Sequence, residues 1–471
     1  MFVFPLIFIA AFIASAKQVL SGEKQGFFLF LIFGLSIYNT TMSTAYILGF
    51  KQFIPFLQFF KESLVLTLLT INIYTLKTRP RLHIIDYLIL CYLGITILYA
   101  VIPLGGQSFI QRIFALKSLS FFIIVYLAGR LMDIRKIYVN KYFSYILIVT
   151  IAAGLIAVLE RIFKINLQNL TGFSEYAYYF FNFESSGNYG LNWTFESEGG
   201  IRRFASFFSD PIEHGIATLF ALSVILTQFT KSNKEFKPSG IGILALLLSF
   251  CSIVLSFSRA AFAGYFIIIY VYALIFKNRL IIKIFHFAFF AGALYILFLI
   301  SSFGSKIDGL SEVIINSLNF SNPSSVGHLL QWIEGVLAMI DHPLGMGLGG
   351  AGRVGGSLSE VVGGENQFII IGVQAGVIAL ALYLAIYIMF IKQALKWTKI
   401  LEGKESKICL VILFLKIGLI ISAFTTEVEA SSYISYMNWF LSGIFVSIIT
   451  MHQQHSPVTV YAVAHKLIKA T

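Results

Sequence analysis

Residues 239–276 read SGIGILALLLSFCSIVLSFSRAAFAGYFIIIYVYALIF, two apolar runs separated by a few polar residues. Because about 20 apolar residues cross a bilayer as a helix, the runs predict two membrane spans, near 239–257 and 260–276. The turn between them is so short that Arg259 must lie at membrane depth, where an ionisable side chain indicates a functional site by default. A structural salt bridge, with Glu160 as the partner, is the alternative.

Apolar windows of this kind recur along the whole chain. Of its 471 residues, 58% are hydrophobic and 12% charged, and the mean hydropathy of +0.85 lies outside the range of soluble globular proteins. The three cysteines lie inside apolar runs, so no disulfide framework is expected. We predict an all-α fold, a polytopic membrane bundle of about 12–14 transmembrane helices. The predicted spans are 2–16, 26–44, 57–76, 83–102, 112–130, 139–159, 212–229, 239–257, 260–276, 284–302, 366–390, 408–424 and 434–450.

The basic residues form short clusters between the spans, so the net charge of +12 does not point to nucleic acid. Most of them lie in one set of loops, which the positive-inside rule assigns to the cytoplasm together with the C-terminal tail. The external side then carries two long segments, near 160–211 and 303–365, in what we expect to be a single membrane domain, 1–471. Loops of that length in a compact bundle are usually functional.

The first external segment ends in GIRRFASFFSDPIEHG, residues 200–215. Asp210, followed by proline, predicts a helix start with the aspartate as its cap. Arg202 and Arg203 lie about two turns earlier, on the side where basic residues are disfavoured. Arginine suits multidentate recognition of phosphate, so this pair and Arg259 predict a lipid-linked phosphate as ligand. Snorkelling of the arginines towards lipid headgroups is the alternative.

The second external segment contains an amphipathic pattern that predicts a helix over 324–341. Ser324 or Ser325 is expected to cap it, and the helix should lie over the mouth of the bundle rather than cross the membrane. His328 lies on its first turn, as a candidate base or as an ordinary interfacial histidine. Trp332 lies on its apolar face.

A glycine-rich run, PLGMGLGGAG at 343–352, follows this helix. It lacks the strand and the Gly-Lys-Ser/Thr of a nucleotide-binding loop, so it predicts a close-packed turn, with Arg353 just beyond it. Glu365 and Asn366 then open the next span, where an acid also suits the helix dipole. Aromatic residues of the first external segment, among them Tyr179, suit either sugar stacking or a membrane-interface belt.

The order of these motifs resembles the bacterial O-antigen polymerase and ligase superfamily over roughly residues 200–390. The matching order is arginine before a span, Ser-x-Ser-Arg after the next, an external helix, His-Pro-Leu-Gly-x-Gly, and an acid or His followed by Asn. The resemblance implies transfer of glycans from an undecaprenyl-diphosphate carrier at the outer face of the bacterial cytoplasmic (inner) membrane, by a GT-C-like glycosyltransferase. It implies neither a metal nor another cofactor.

The resemblance also implies roles for individual residues. Ligases have His-Asn, nine residues and then Gly-x-x-Gly at the catalytic span, whereas this chain has Glu365-Asn366, nine residues, Gly376 and Ala379. A carboxylate would therefore replace the histidine as base. The expected catalytic residues are Glu365 and His328. The diphosphate would be bound by Arg203, Arg259, Arg353 and, as a substitute for Arg203, Arg202. The substrate would be bound by Ser258, Asn366, Trp332 and Tyr179.

Three functions are consistent with these motifs. The first is an inverting, metal-independent Wzy-type polysaccharide polymerase, which transfers a growing chain to a lipid-linked repeat unit and works beside a flippase and a chain-length regulator. The second is a ligase that transfers the glycan to lipid A core or a protein, with His328 as base. The third is a flippase or transporter of the same lipid-linked glycan, whose polar groups would be expected nearer the midplane.

Overall fold

The computed structural model describes residues 2–197, 200–231, 234–301, 323–352, 362 and 364–455. Helices dominate these residues, and the two strands among them form one short antiparallel hairpin. The helices and strands are α1 Val3–Leu20, α2 Lys24–Ile47, α3 Ile54–Tyr74, α4 Ile84–Val101, α5 Phe109–Arg130, α6 Val139–Phe163, α7 Leu167–Leu170, α8 Phe173–Phe181, β1 Glu196–Ser197, β2 Ile201–Arg202, α9 Pro211–Gln228, α10 Gly240–Leu255, α11 Arg259–Phe276, α12 Arg279–Ser301, α13 Pro323–Asp341, α14 Gln367–Trp397, α15 Gly403–Ala423 and α16 Ser432–His455.

The predicted all-α membrane bundle is confirmed. Among the described residues, 11 helices are long and apolar enough to cross a membrane, and α10 is a shorter apolar helix. Every predicted span coincides with a helix, including the two at 2–16 and 57–76. The predicted span at 212–229 corresponds to α9. This helix is buried on all sides from Glu213 to Thr227 and therefore forms the centre of the bundle.

Small residues let the spans approach closely. A Cβ on Gly443 of α16 would collide with the backbone of α5 near Tyr126, and a Cβ on Gly129 of α5 would collide with the backbone of α16 at Phe440. A Cβ on Gly264 of α11 would lie 2.9 Å from the Gly418 oxygen of α15. Close packing of this kind, rather than burial from water, is what holds helices together in lipid.

The amphipathic helix of the second external segment is present as α13. It begins at Pro323, so the prediction that Ser324 or Ser325 caps it is wrong: both lie within its first turn, and proline takes the first helical position that suits it. The helix packs along the first turns of α14, where Met339 lies against Gly372. It is not among the helices apolar enough to span a membrane in the described chain.

Helix α14 is broken at Gly376, whose φ of 81° and ψ of 172° are not helical. The glycine-rich turn fills the break through backbone hydrogen bonds. The Val377 amide donates to the Pro343 oxygen at 2.9 Å, and the Met346 amide donates to the Val373 oxygen at 2.7 Å. The predicted close-packed turn is therefore what the structure shows. Its described part ends at Gly352, and Arg353 lies outside the described residues.

Candidate active site

The backbone segment 203–206, which we call the arginine strap, lies against the end of α10. The Phe204 amide donates to the Leu255 oxygen at 3.1 Å, and the Arg203 side chain donates from Nε to the Ser256 oxygen at 3.0 Å. Arg259, the first residue of α11, follows three residues later. Two arginines that are far apart in sequence thus lie at one end of the same helical hairpin.

The hairpin turn itself is tightly built. Phe257 has a φ of 46°, a left-handed conformation that is strained for a bulky side chain and that often marks functional sites. Gly215 of α9 lies against the turn, because a Cβ there would be 2.9 Å from the Ala261 side chain and 3.3 Å from Ser258. Ser258 is buried and precedes α11, and its side chain does not cap that helix.

The first external segment fixes the strap from the other side. Glu160, at the end of α6, accepts hydrogen bonds from the Leu167 amide at 2.7 Å and from the Ser206 amide at 2.8 Å. Asn166 donates to the Arg203 oxygen at 2.7 Å. Each carboxylate oxygen of Glu160 therefore accepts a backbone hydrogen bond, which ties the strap to the end of α6.

Asp210 caps α9, as predicted. Its Oδ1 accepts from the Ile212 and Glu213 amides at 2.9 and 2.8 Å. Glu213 itself faces back towards Ser209 and accepts from the Ser431 hydroxyl at 2.6 Å. These bonds fix the start of the central helix immediately after the arginine strap.

Charge connects the strap to the start of α14. The pKa of Arg203 is lowered to about 10, chiefly by burial and also by the charge of Arg259, while the carboxylates of Asp210 and Glu365 act to raise it. Because that pKa remains far above neutrality, Arg203 keeps its charge at pH 7. Arg203 therefore lies within electrostatic range of both Arg259 and Glu365.

Arg202 is held differently from its neighbour. It lies in β2, paired with Glu196 across the hairpin, and its guanidinium stacks over the Tyr189 ring at 3.9 Å from the centroid. A cation–π contact of this kind holds the side chain within the first external segment. The structure thus separates the two adjacent arginines and gives Arg203 the place beside the turn.

Glu365 lies at the junction of α13 and α14. It is half-buried, and the preceding residue, Gly364, lies directly against the Gln331 side chain of α13. Asn366 caps α14, with Oδ1 accepting from the Phe368 and Ile369 amides at 2.9 and 3.2 Å. His328 lies one helical turn before Gln331, on the same face of α13. The two candidate bases, Glu365 and His328, thus lie on segments that contact each other through Gly364 and Gln331.

Two further predicted substrate residues lie near other aromatic rings. Trp332 packs beside the start of α14, with its ring centroid 6.3 Å from that of Phe424. The exposed Tyr179 ring lies 5.4 Å from Tyr46 and 5.2 Å from the ammonium of Lys51. The described contacts of Tyr179 are therefore with the N-terminal helices and not with the arginine strap.

Sequence reasoning missed the external turn between α15 and α16. Glu427 is buried and accepts from the Ser118 hydroxyl at 3.2 Å. Glu429 accepts from Tyr383 and Ser435, each at 2.6 Å, and from the Trp439 indole at 2.8 Å. The sequence does contain an indication of this site. Two acids spaced by one residue in a short turn between two spans are energetically costly near the membrane and therefore unusual.

Lys416, near the middle of α15, lies close to this turn. Its ammonium is 3.8, 4.4 and 4.8 Å from the ring centroids of Trp439, Tyr387 and Phe390. Glu429 acts on its charge as well and accepts from the same tryptophan. An aromatic cage and one acid thus accommodate this cation inside the bundle.

Comparison with known proteins supports the resemblance. The family model described as O-antigen ligase matches residues 244–384, a stretch that includes Arg259, His328, Glu365 and the break at Gly376. Arg202 and Arg203 lie outside the match. No curated protein matches the chain. Over residues 244–384 the chain is thus similar to the O-antigen ligase family, which, with the helical membrane bundle, supports the resemblance to the O-antigen polymerase and ligase superfamily.

Proposed function

We propose that the chain is a polysaccharide polymerase of the O-antigen, capsule or exopolysaccharide type. It transfers a growing glycan from undecaprenyl diphosphate to a lipid-linked repeat unit at the outer face of the bacterial inner membrane. A sugar hydroxyl of the acceptor attacks the anomeric carbon, the bond from that carbon to the diphosphate oxygen breaks, and the diphosphate leaves with the electron pair. One displacement inverts the anomeric centre.

The observation that carries this proposal is the placement of Arg203 beside the turn that bears Arg259. Arg203 donates to the Ser256 oxygen through Nε at 3.0 Å, and within the described part of the chain no hydrogen bond from its terminal nitrogens is found, so these can donate to a ligand. A leaving diphosphate gains negative charge in the transition state, and fixed guanidinium groups stabilise that charge without rearranging during the reaction. Arg353 is proposed as a third ligand of the diphosphate.

Glu365 is the proposed base. It lies one residue before the cap of α14 and within the electrostatic reach of Arg203. In the reaction it takes the proton of the acceptor hydroxyl as the new glycosidic bond forms. Ser258, Asn366 and Trp332 are proposed to contact the sugars, and Tyr179 to act as a stacking surface further from the reacting atoms.

The test is incubation of the purified chain, in bilayer discs, with lipid-linked repeat units alone. A ladder of products that differ by one repeat supports the polymerase, provided that Arg259→Ala gives none. Transfer of one glycan only when lipid A core or a protein acceptor is added would instead establish a ligase. No product with any acceptor, together with movement of the lipid across a bilayer, would establish a transporter.

A ligase is the second candidate, because the matching family model is described as O-antigen ligase. In that case His328 would be the base, since Glu365 stands where the resemblance expects histidine. The two candidates differ in which substitution stops transfer: Glu365→Gln for the polymerase and His328→Gln for the ligase.

Transport is less well supported. Broken helices are typical of transporters, where the free backbone groups of half-helices bind the substrate. The break at Gly376 is instead closed by hydrogen bonds to Pro343 and Met346 of the glycine-rich turn. The polar groups described above also lie at helix ends rather than at midplane, with Lys416 as an exception.

A further inference from the structure

A second cationic cluster lies between α3 and α5, away from the arginine strap. Glu62 is buried, and its carboxylate lies 3.2 Å from the Lys61 ammonium and 2.6 Å from that of Lys117. One acid thus faces two lysines, which leaves a net positive charge. Lys61 is enclosed further, because its ammonium donates to the Tyr38 hydroxyl at 2.9 Å.

Lys117 faces the boundary between the bundle and its surroundings. Its side chain is 52% exposed, against 6% for Glu62. It continues the exposed apolar stripe formed by Ile113 and Phe114, one turn earlier on α5. The backbone of Lys117 therefore lies about 12 Å along the helix from Phe109, on a face that is expected to meet the acyl chains of the lipid.

Snorkelling does not explain this geometry. A lysine at that depth normally extends its ammonium to the headgroups, where water solvates the charge. Lys117 instead turns inward and contacts the buried Glu62. Lys61, Glu62 and Lys117 thus form one cluster with a net positive charge. An anion that arrives from the lipid would balance this charge.

The cluster is connected to the candidate active site. Ser118, next to Lys117, donates to Glu427 in the external turn. The second oxygen of Glu427 faces the glycine-rich turn, 3.3 Å from the position of a Cβ on Gly352. A ligand held at Lys117 would therefore be separated only by α5 from Glu427, which borders the glycine-rich turn.

We infer that Lys61, Glu62 and Lys117 form a second phosphate-binding site, which receives the diphosphate of the lipid-linked acceptor while the arginine strap holds that of the donor. This inference rests on the proposed polymerase function, in which both substrates carry a polyprenyl diphosphate. Basic pockets between transmembrane helices bind lipid phosphates by the same physical means. Because the Lys117 side chain is half exposed on the outer face of α5, the polyprenyl tail can remain in the bilayer while its phosphate is bound.

The direct test counts undecaprenyl diphosphate molecules bound to the full chain in discs of phosphatidylcholine, by native mass spectrometry. Wild type should bind two, and Lys117→Gln and Arg259→Ala one each. Lys117→Gln leaves Glu62 paired with Lys61, so no buried acid loses its counter-ion and the fold should persist. Lys51→Gln, which removes another external lysine, should still bind two. One molecule on wild type, or two on Lys117→Gln, would overturn the inference.

A second arm separates the two sources of a lipid phosphate. Phosphatidylglycerol is added in excess over undecaprenyl diphosphate: retention of the second diphosphate molecule supports an acceptor site, and its complete displacement overturns that assignment in favour of bulk lipid.

Kinetics complete the test. Lys117→Gln should raise the KM for the acceptor about tenfold, with kcat and the donor affinity unchanged, and Lys117→Arg should restore it.

These outcomes separate the two proposals. Normal chain extension by Lys117→Gln, with an unchanged KM for the acceptor, contradicts the acceptor site and leaves the polymerase intact. Two bound diphosphates without any extension of glycans contradict the polymerase and leave the second binding site intact.

Discussion

The two sides of the candidate active site are built by different forces. On the arginine side, hydrogen bonds from Asn166, Arg203 and Phe204 fix a strap to a helix end. On the Glu365 side, α13 rests on α14 through apolar and close contacts, such as that of Met339 with Gly372. The first arrangement is suited to hold charge in fixed positions, whereas the second can shift at a smaller energetic cost.

The difference suggests a division of labour. A leaving diphosphate needs positive charge that is already in place, because reorganisation during the reaction would raise the barrier. In the proposed polymerase, the base must instead receive a new acceptor sugar in each cycle, which favours an element packed through side chains. Substitutions on the two sides should therefore fail in different ways.

Glu365→Gln should give the largest effect. The amide keeps the shape of the side chain but cannot take a proton, so turnover should fall about 10²–10⁴-fold while donor affinity is kept. Turnover of lipid-linked repeat units and donor binding are measured on the same preparation, with His328→Gln as the matched variant. Near-normal turnover would reduce Glu365 to a charge at a helix start and transfer the role of base to His328.

Arg259→Ala should reduce turnover by about 10²–10³-fold, together with donor binding, because one ligand of the diphosphate is lost. Arg259→Lys should recover little, since a point charge does not reproduce the bidentate geometry of guanidinium. The assay is chain extension beside donor affinity, in protein shown to insert and fold. Full activity of the lysine variant would mean that only a positive charge is needed there.

Gly376→Ala should affect stability rather than chemistry. The residue has a φ of 81°, and a Cβ would lie 2.7 Å from the Leu344 backbone, so we expect a loss of about 1–3 kcal/mol. Thermal unfolding in detergent provides the measurement. Gly292→Ala is the control, because that glycine is exposed on α12 with nothing within 4 Å. Equal stability of the two variants would show that the break in α14 does not depend on glycine.

Asn366→Ala should have the smallest effect, about 1 kcal/mol of stability from the loss of a helix cap. Asn366→Asp should restore it, because a carboxylate accepts the same two amide hydrogen bonds. Unfolding and turnover are followed together. A large loss of turnover in Asn366→Asp at unchanged stability would assign Asn366 to the substrate rather than to the cap.

The spans were predictable from sequence because each depends on a local property, the length of an apolar run. The cap at Asp210 and the turn at Arg259 were predictable for the same reason. The strap was not, because the bond from Arg203 to Ser256 joins residues more than 50 positions apart. Only packing could show that Arg203, and not the adjacent Arg202, reaches the turn.

The buried acids were missed for a related reason. Glu62 and Glu429 become meaningful only through partners on other helices, Lys117 and Trp439 among them. The sequence shows an unusual charge at membrane depth, and three-dimensional packing shows which groups stabilise it. Of the predicted site, Arg203 lies within electrostatic range of Arg259 and Glu365, while Tyr179 lies elsewhere.

We propose above all that a fixed Arg203, beside Arg259, holds the leaving diphosphate. Arg203→Lys and Arg202→Lys make the same chemical change at adjacent positions, so chain extension by these two variants tests the claim directly. We expect Arg203→Lys to lose about 10²-fold in rate, because lysine lacks the geometry to bind both the Ser256 oxygen and the diphosphate. Arg202→Lys should remain within a few-fold of wild type. Equal losses in the two variants, or a greater loss in Arg202→Lys, would contradict the account.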